Sequence, residues 1–215
     1  MVDINPLFLY FLNIMGQLRA IWKHEVRQTN QISRLLIQDQ KVKLDWRVVL
    51  LPLFLLDVVH YRHRLRVLRK NLLFTKRLAF EAAKNITDGQ EHGWEIRRIE
   101  IKTKDTLDKD KKGHYTEKIR RKQLNEIDPL ITHYLDLINT GKSRYPEMIK
   151  ALYPSKNNYL NFINRLHKLE EEVIQAAITT MRKGTKKERR EWFDKVRATT
   201  KKARTTTADR LYAER

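Results

Sequence analysis

Three residues of the sequence, Asp57, His60 and His63, carry side chains that bind metal ions and follow one another at intervals of three positions. Residues three positions apart are neighbours on one face of a helix, so a carboxylate and two imidazoles could lie together. A closed metal site needs further ligands, and the chain has no cysteine and no Glu-x-x-His pair of the type that di-iron helical proteins use. We therefore assign no metal site and expect Asp57 to be neutralised by His60, Tyr61 or an arginine.

Gly141, Lys142 and Ser143 match the last residues of a phosphate-binding loop. That motif requires a glycine five positions before Gly141, where this chain has Asp136, and it must follow a strand. The preceding residues show a helical pattern, so Gly141 is better explained as the end of a helix. No nucleophile, base and orienting residue have a spacing that indicates catalysis, and we predict a protein without enzymatic activity or cofactor.

Positive charge is the strongest signal in the composition. The chain has 45 Lys and Arg against 26 Asp and Glu, a net charge of +19 over 215 residues. Most of the excess lies in two segments: residues 41–86 contain eleven basic and three acidic residues, and residues 182–215 contain thirteen and five. Residues 1–40 are almost balanced, with four against three. Such concentrated charge predicts an anionic partner, either phospholipid headgroups or nucleic-acid phosphates.

An apolar run of twelve residues, 48–59, is interrupted by Pro52 and Asp57. A helix of this length covers about 18 Å, less than the roughly 30 Å of a bilayer core, so the run should not cross a membrane. Basic residues flank both of its ends, and both flanks therefore favour the cytoplasmic face. A helix broken at Pro52 that enters a single leaflet satisfies both flanks. Apolar runs of this length also form the cores of soluble proteins.

The membrane hypothesis assigns residues to two roles. The residues expected to insert are Val48, Leu50, Leu51, Pro52, Leu53, Phe54, Leu55, Leu56, Val58 and Val59, with Phe8 and Phe11 of the apolar N-terminal helix. The residues expected to bind lipid phosphates are Arg47, Arg62, Arg64, Arg66, Arg69 and Lys70, with Lys186, Lys187, Arg189 and Arg190 near the C-terminus.

Few glycines and prolines, six and five, favour long helices over a fold with many turns. The sequence predicts a mainly α protein, an irregular bundle of long kinked helices, with one β-hairpin around residues 93–122. Four regions follow: 1–88, apolar and basic helices; 89–127, a charged hairpin or insertion; 128–184, helices; and 185–215, a basic helix. Within them we expect one helix over 45–86 kinked at Pro52, and helices that begin at Pro129, Tyr145, Ser155 and Thr185.

Two functions are compatible with these patterns. The first is a non-enzymatic, cytoplasm-facing peripheral or monotopic membrane protein whose basic helices face anionic lipid. The alternative is a soluble cytoplasmic protein that binds nucleic acid, such as RNA or a ribosome, with residues 48–59 in its core. In that alternative Trp192 and Phe193, which lie among the C-terminal basic residues, would help to bind a phosphate backbone. Both hypotheses are compatible with a homo-oligomer or with binding to a protein partner.

Overall fold

A computed structural model describes residues 6–38, 53–111, 113–180 and 185–213, and for residues 6–12, 38, 53–61 and 64 it describes the backbone only. These residues form eight helices and no strand, which confirms the mainly α prediction. In chain order the helices are α1 (Pro6–Gln38), α2 (Leu53–Leu72), α3 (Phe74–Thr87), α4 (His92–Lys109), α5 (Glu117–Asn139), α6 (Tyr145–Leu152), α7 (Lys156–Thr179) and α8 (Lys186–Tyr212).

Helix α5 lies at the centre of the packing and contacts α1, α3, α4, α6 and α7. Its apolar residues Leu130, Ile131, Tyr134 and Leu137 recur at helical spacing and are all fully buried. Helix α8 packs against α1, α6 and α7, so the first and last helices touch.

The buried apolar side chains form two clusters. The larger cluster draws residues from α1 and from α3 through α8. The smaller cluster joins Ile32 and Leu36 of α1 to Val196 and Ala203 of α8, and Leu68 of α2 packs against it. The second half of α2 therefore packs against the cluster that α1 and α8 form.

The predicted β-hairpin at residues 93–122 is wrong, because the described residues of this region form α4, a loop and the first turns of α5. The pattern of Ile96, Ile99, Ile101 and Thr103 suggested alternation along a strand. In the structure Ile99 and Thr103 are buried four residues apart on one helical face, and Ile101 is 64% exposed. A short series of β-branched residues fits both periods, and packing against α3 and α5 selects the helix.

Helix α5 also begins earlier than expected, at Glu117 rather than at Pro129. The hydroxyl of Thr116 accepts a hydrogen bond from the backbone N–H of Ile119 and caps the helix, and Pro129 lies inside it. An interior proline removes one backbone hydrogen bond, here to the carbonyl of Asn125, whose residue is exposed to water. Water can therefore bind the carbonyl that the proline leaves free.

Other helix ends agree with the sequence. Gly141 follows α5 with a φ of 68°, the left-handed conformation that closes a helix at little cost for glycine. Ser155 caps α7, and Thr185 forms a capping box with Glu188 at the start of α8. The helix predicted over 45–86 is divided at Leu73 into α2 and α3. The predicted kink at Pro52 lies outside the described residues.

Candidate functional site: a basic groove

A groove of about 950 Å³ lies between α1, α6 and α8. This volume is at the upper end of the range of about 300 to 1,000 Å³ that is typical of small-ligand sites. Its basic residues come from all three helices or the turns beside them, and are Lys23, Arg27, Arg144, Lys150 and Arg210. Its lining contains a single acidic residue, Glu147. We call this site the basic groove.

The α1 wall of the groove belongs to a longer stripe of cations. Arg19, Lys23 and Arg27 follow one another at intervals of four, and Arg34 continues the same helical face. All four side chains are exposed, and none forms an ion pair within the described part of the chain. A shallower depression of about 560 Å³ shares Lys23 and Arg27 with the basic groove and extends to Arg34.

The α6 wall is fixed to α1 by stacked rings. The imidazole of His24 and the phenol of Tyr145 stack with their centroids 3.7 Å apart and an interplanar angle of 12°. Tyr145 is the first residue of α6, so this contact sets where Arg144 and Lys150 lie. Arg144 pairs with Glu147 at 3.3 Å, which occupies the one carboxylate of the groove.

The α8 wall is held by two polar contacts near the end of the helix. The hydroxyl of Tyr212 donates to the carbonyl oxygen of Tyr153 at 2.6 Å. Lys156, at the start of α7, pairs with Asp209 at 2.7 Å. These contacts position Arg210, whose exposed side chain forms no ion pair among the described residues.

The floor of the groove contains two uncharged polar side chains that form no hydrogen bond with the described residues. Gln28 is only 6% exposed, and its amide forms no hydrogen bond with any described residue. His24, one turn earlier on α1, also forms no hydrogen bond in the described part of the chain. Burial, opposed by the Glu25 carboxylate and assisted by the Lys76 and Arg27 cations, lowers the pKa of His24 to about 4, so at neutral pH its ring has one N–H donor and one acceptor. Both groups are available to a ligand.

Behind the floor, a buried ion pair connects α1 to α3. Nζ of Lys76 lies 2.6 Å from Oε2 of Glu25, and both side chains are less than 10% exposed. Burial would raise the pKa of Glu25, but the Lys76 ammonium, with smaller effects of His24 and Arg204, lowers the pKa to about 2. This pair holds α1 in the register that presents His24 and Gln28 to the groove.

A second set of buried charges joins α5, α7 and α8. Arg204 is 3% exposed and donates through Nη2 to Glu170, while its Nε and Nη1 have no partner in the described structure. Glu126 accepts a hydrogen bond from Thr75 Oγ1 at 3.0 Å. Burial and the nearby Glu170 carboxylate raise the pKa of Glu126 to about 8. A pocket of about 520 Å³, partly open to solvent, borders these residues.

The cations predicted on α2 form an exposed stripe away from the groove. Arg62, Arg66 and Lys70, at intervals of four, are exposed, and no ion pair of the described residues includes them. Arg69 is half-buried, and its Nε has no hydrogen-bond partner in the described structure. Arg47, Val48, Leu50, Leu51 and Pro52 lie outside the described residues, as do the side chains of Phe8, Phe11, Leu53, Phe54, Leu55, Leu56, Val58, Val59, Arg64, Asp57 and His60.

The cations predicted near the start of α8 also lie outside the groove. Lys186, Lys187 and Arg190 are exposed, and Arg189 is half-buried. Trp192, which we expected to face a phosphate backbone, packs against the smaller apolar cluster instead. The structure therefore does not bring the cations of α2, the first turn of α8 and the basic groove into one site.

The sequence reasoning missed the basic groove because it counted charge by segment. Residues 1–40 are nearly neutral in total, yet the acidic Glu25 is buried and the basic residues share the exposed face. The four-residue interval of Arg19, Lys23 and Arg27 is the signal that could have revealed this face of α1. Nothing local to the sequence indicates that Arg144, Lys150 and Arg210 would join it.

Within the described ranges, no helix is long and apolar enough to span a membrane. The same part of the chain contains no cluster of three His, Asp or Glu side chains that could hold a metal ion. Comparison of the chain with protein-family models, with curated proteins and with solved structures finds no match.

Proposed function

We propose that this chain is a non-enzymatic, cytoplasm-facing peripheral or monotopic membrane protein, an irregular bundle of kinked helices that binds anionic lipid. The apolar run at 48–59 enters one leaflet, and the basic residues that follow it bind lipid phosphates. The observation that carries the proposal is the stripe of Arg62, Arg66 and Lys70. It begins three residues after the apolar run and faces solvent without a carboxylate partner among the described residues.

The stripe has the geometry of a headgroup contact. Intervals of four residues on a helix correspond to steps of about 6 Å, so the three cations form a line about 12 Å long on one face. Val67, three residues before Lys70, is 44% exposed, which places an apolar side chain beside the end of this line. Cations with interspersed apolar residues are typical of helices that lie in the headgroup region.

The test is co-sedimentation of the whole chain with vesicles. Wild-type protein should bind phosphatidylcholine vesicles that contain phosphatidylserine and should bind pure phosphatidylcholine weakly. Replacement of Arg62, Arg66 and Lys70 by glutamine should weaken binding roughly a hundredfold, because each basic residue near an anionic surface contributes about 1 kcal/mol.

The matched control replaces three exposed, unpaired cations elsewhere, Arg77, Arg97 and Lys118, by glutamine. It removes the same charge and should retain most of the binding. Equal losses in both triple variants, or a wild-type protein that ignores phosphatidylserine vesicles, would refute the proposal.

The alternative function, nucleic-acid binding, is favoured by the first turn of α8. Lys186, Lys187 and Arg190 are exposed there without ion pairs in the described structure, beside a helix N-terminus that favours phosphate. The aromatic side chain that we expected to assist, Trp192, is packed in the smaller cluster. Only the cations support this alternative.

Its test cannot remove residues 185–215, because Val196, Ala203 and Ala208 of α8 are buried in the two apolar clusters. Replacement of Lys186, Lys187 and Arg190 by glutamine should instead weaken binding of a single-stranded RNA and reduce the slope of log affinity against log salt by about 2. An unchanged slope would exclude these residues as the RNA contact.

A further inference from the structure

We propose that the basic groove between α1, α6 and α8 binds a compact polyphosphate, a compound that carries several phosphate groups close together. This site is separate from the α2 stripe and does not depend on membrane insertion. The same chemistry occurs in a soluble polyphosphate and in the headgroup of a phosphorylated inositol lipid.

The charge around the basic groove is strongly positive. Five cations converge from α1, α6 and α8 around about 950 Å³, and the single carboxylate of the groove is already paired with Arg144. Lys23, Arg27 and Arg210 have no ion-pair partner among the described residues. Like charges gathered in a concave surface repel one another and raise the local potential, and a multivalent anion relieves this repulsion. One monovalent anion would leave most of it in place.

The floor of the groove supports the same ligand through uncharged polar side chains. The Gln28 amide is more than nine-tenths buried and lines the groove without a hydrogen bond to any described residue. A polar side chain that is almost enclosed by protein and forms no hydrogen bond with it has only the groove in which to find a partner. A phosphate oxygen at this position would accept from the Gln28 N–H, and His24, one turn away, could donate a second hydrogen bond.

The aromatic rings of the groove favour a compact polyphosphate over a nucleic-acid strand. Proteins that bind single strands usually stack bases on exposed aromatic rings. The rings in this groove are engaged with one another: Tyr145 is 8% exposed and stacks on His24, and the Tyr212 hydroxyl is bonded to Tyr153. The groove thus offers five cations and hydrogen-bond donors for phosphate, against little aromatic surface for bases.

The experiment measures binding of inositol hexakisphosphate to the full-length chain by calorimetry. Wild-type protein should bind it far more tightly than inorganic phosphate. Replacement of Lys23 and Arg27 by glutamine should weaken binding about a hundredfold, since each charge-assisted hydrogen bond contributes about one factor of ten. Gln28→Leu, which changes no charge, should weaken it about tenfold. The triple variant of Arg77, Arg97 and Lys118 should lose no more than a few-fold.

Gln28→Glu serves as a second floor variant if Gln28→Leu fails to fold, because it preserves the shape and should repel phosphate. Circular dichroism during heating identifies variants that remain folded. The proposal would be overturned if the folded variants of Lys23 and Arg27 and of Gln28 bound inositol hexakisphosphate as tightly as the wild type. It would also be overturned if the control triple variant lost as much binding as they do. It would also be overturned if a single-stranded RNA bound more tightly than inositol hexakisphosphate and depended on the same residues.

A vesicle measurement identifies the source of the phosphates. Phosphatidylcholine vesicles with a small fraction of phosphatidylinositol bisphosphate should compete with the soluble ligand if the groove binds a lipid headgroup. Absence of competition, with binding of inositol hexakisphosphate intact, assigns the site to a soluble polyphosphate. Both results support the groove as a polyphosphate site, and neither depends on the proposed role of Arg62, Arg66 and Lys70.

Discussion

The ammonium of Lys76 on α3 lies 2.6 Å from a carboxylate oxygen of Glu25 on α1, and both side chains are buried. Two charges removed from water at this depth stabilise the fold only as a pair, because each one alone would have no compensation for its lost hydration. The pair also fixes α1 at the position next to His24, one of the two residues of the groove floor. Its removal should therefore affect both stability and the groove.

We expect Lys76→Met and Glu25→Gln each to lower the free energy of unfolding by about 3 to 5 kcal/mol, because each leaves a buried partner unpaired. The double variant with Glu25→Leu and Lys76→Met should recover a large part of that loss. Urea denaturation measures all three. The exposed pair of Lys102 and Glu81, 3.2 Å apart, is the control: Lys102→Met should cost less than about 1 kcal/mol.

The raised pKa of Glu126 should make the protein less stable as pH rises. The carboxyl group has a pKa of about 8 in the folded chain, because of burial and the Glu170 carboxylate, against 4.5 for the unfolded chain. The contribution of the protonated Glu126 carboxyl group to the free energy of unfolding is therefore complete below about pH 4.5 and is lost as pH rises through about 8. Glu126→Gln should flatten the fall in the free energy of unfolding between these values, measured by urea denaturation at several pH values.

In Glu126→Gln the new carbonyl oxygen still accepts the hydrogen bond of Thr75 Oγ1, so the local packing should persist. The exposed Glu100→Gln is the matched substitution and should leave the shape of the profile unchanged. If the free energy of unfolding of Glu126→Gln fell with pH as steeply as that of the wild type, the Glu126 carboxyl group would not be the cause of the fall.

Two histidines, the buried His133 and the half-buried His24, should produce the opposite slope at lower pH. Burial lowers the pKa of His133 and of His24 to about 4 from 6.5. Because the unfolded chain binds these protons more readily, their contribution is complete above about pH 6.5 and is lost as pH falls towards 4. His133→Gln should reduce the acid-side slope of the free energy of unfolding, whereas the exposed His63→Gln should not.

Gln17 should contribute to stability through the end of α5. Its Nε2 donates to the carbonyl oxygens of Ile138 and Lys142, both at 3.1 Å, so it satisfies groups that the helix end leaves free. Gln17→Ala should lower the free energy of unfolding by about 1 to 3 kcal/mol, measured in urea. Asn13→Ala, at an exposed position one turn earlier on α1, should change it by less than about 0.5 kcal/mol.

The ends of several helices could be predicted because local chemistry determines them. Ser155 and Thr185 cap the helices that follow them, and Gly141 takes the left-handed conformation after α5. The error at residues 93–122 has a local cause too, since Ile96, Ile99 and Thr103 fit both a strand and a helix. Here the packing partners, and not the residues themselves, decide between the two.

The buried polar groups could not be predicted, because their partners are distant in the sequence. Gln17 is a polar residue that is only 1% exposed, because its amide binds the end of α5, more than 120 residues away. Arg204 counted towards the surface charge of the last segment, although its guanidinium is buried against Glu170. The basic groove was hidden for the same reason, since Lys23, Lys150 and Arg210 are brought together only by the fold.

The contact of α8 with α1 has a consequence for the order in which the chain can reach its final state. During synthesis α1 emerges first, but Ala208, which completes the larger cluster, and Arg204, which neutralises Glu170, emerge with the last helix. Before α8 folds, we expect the Glu170 carboxylate of α7 to lack its cation and α1 to leave apolar surface uncovered. A nascent chain arrested before α8 should therefore be an attractive client for chaperones and readily cleaved by proteases.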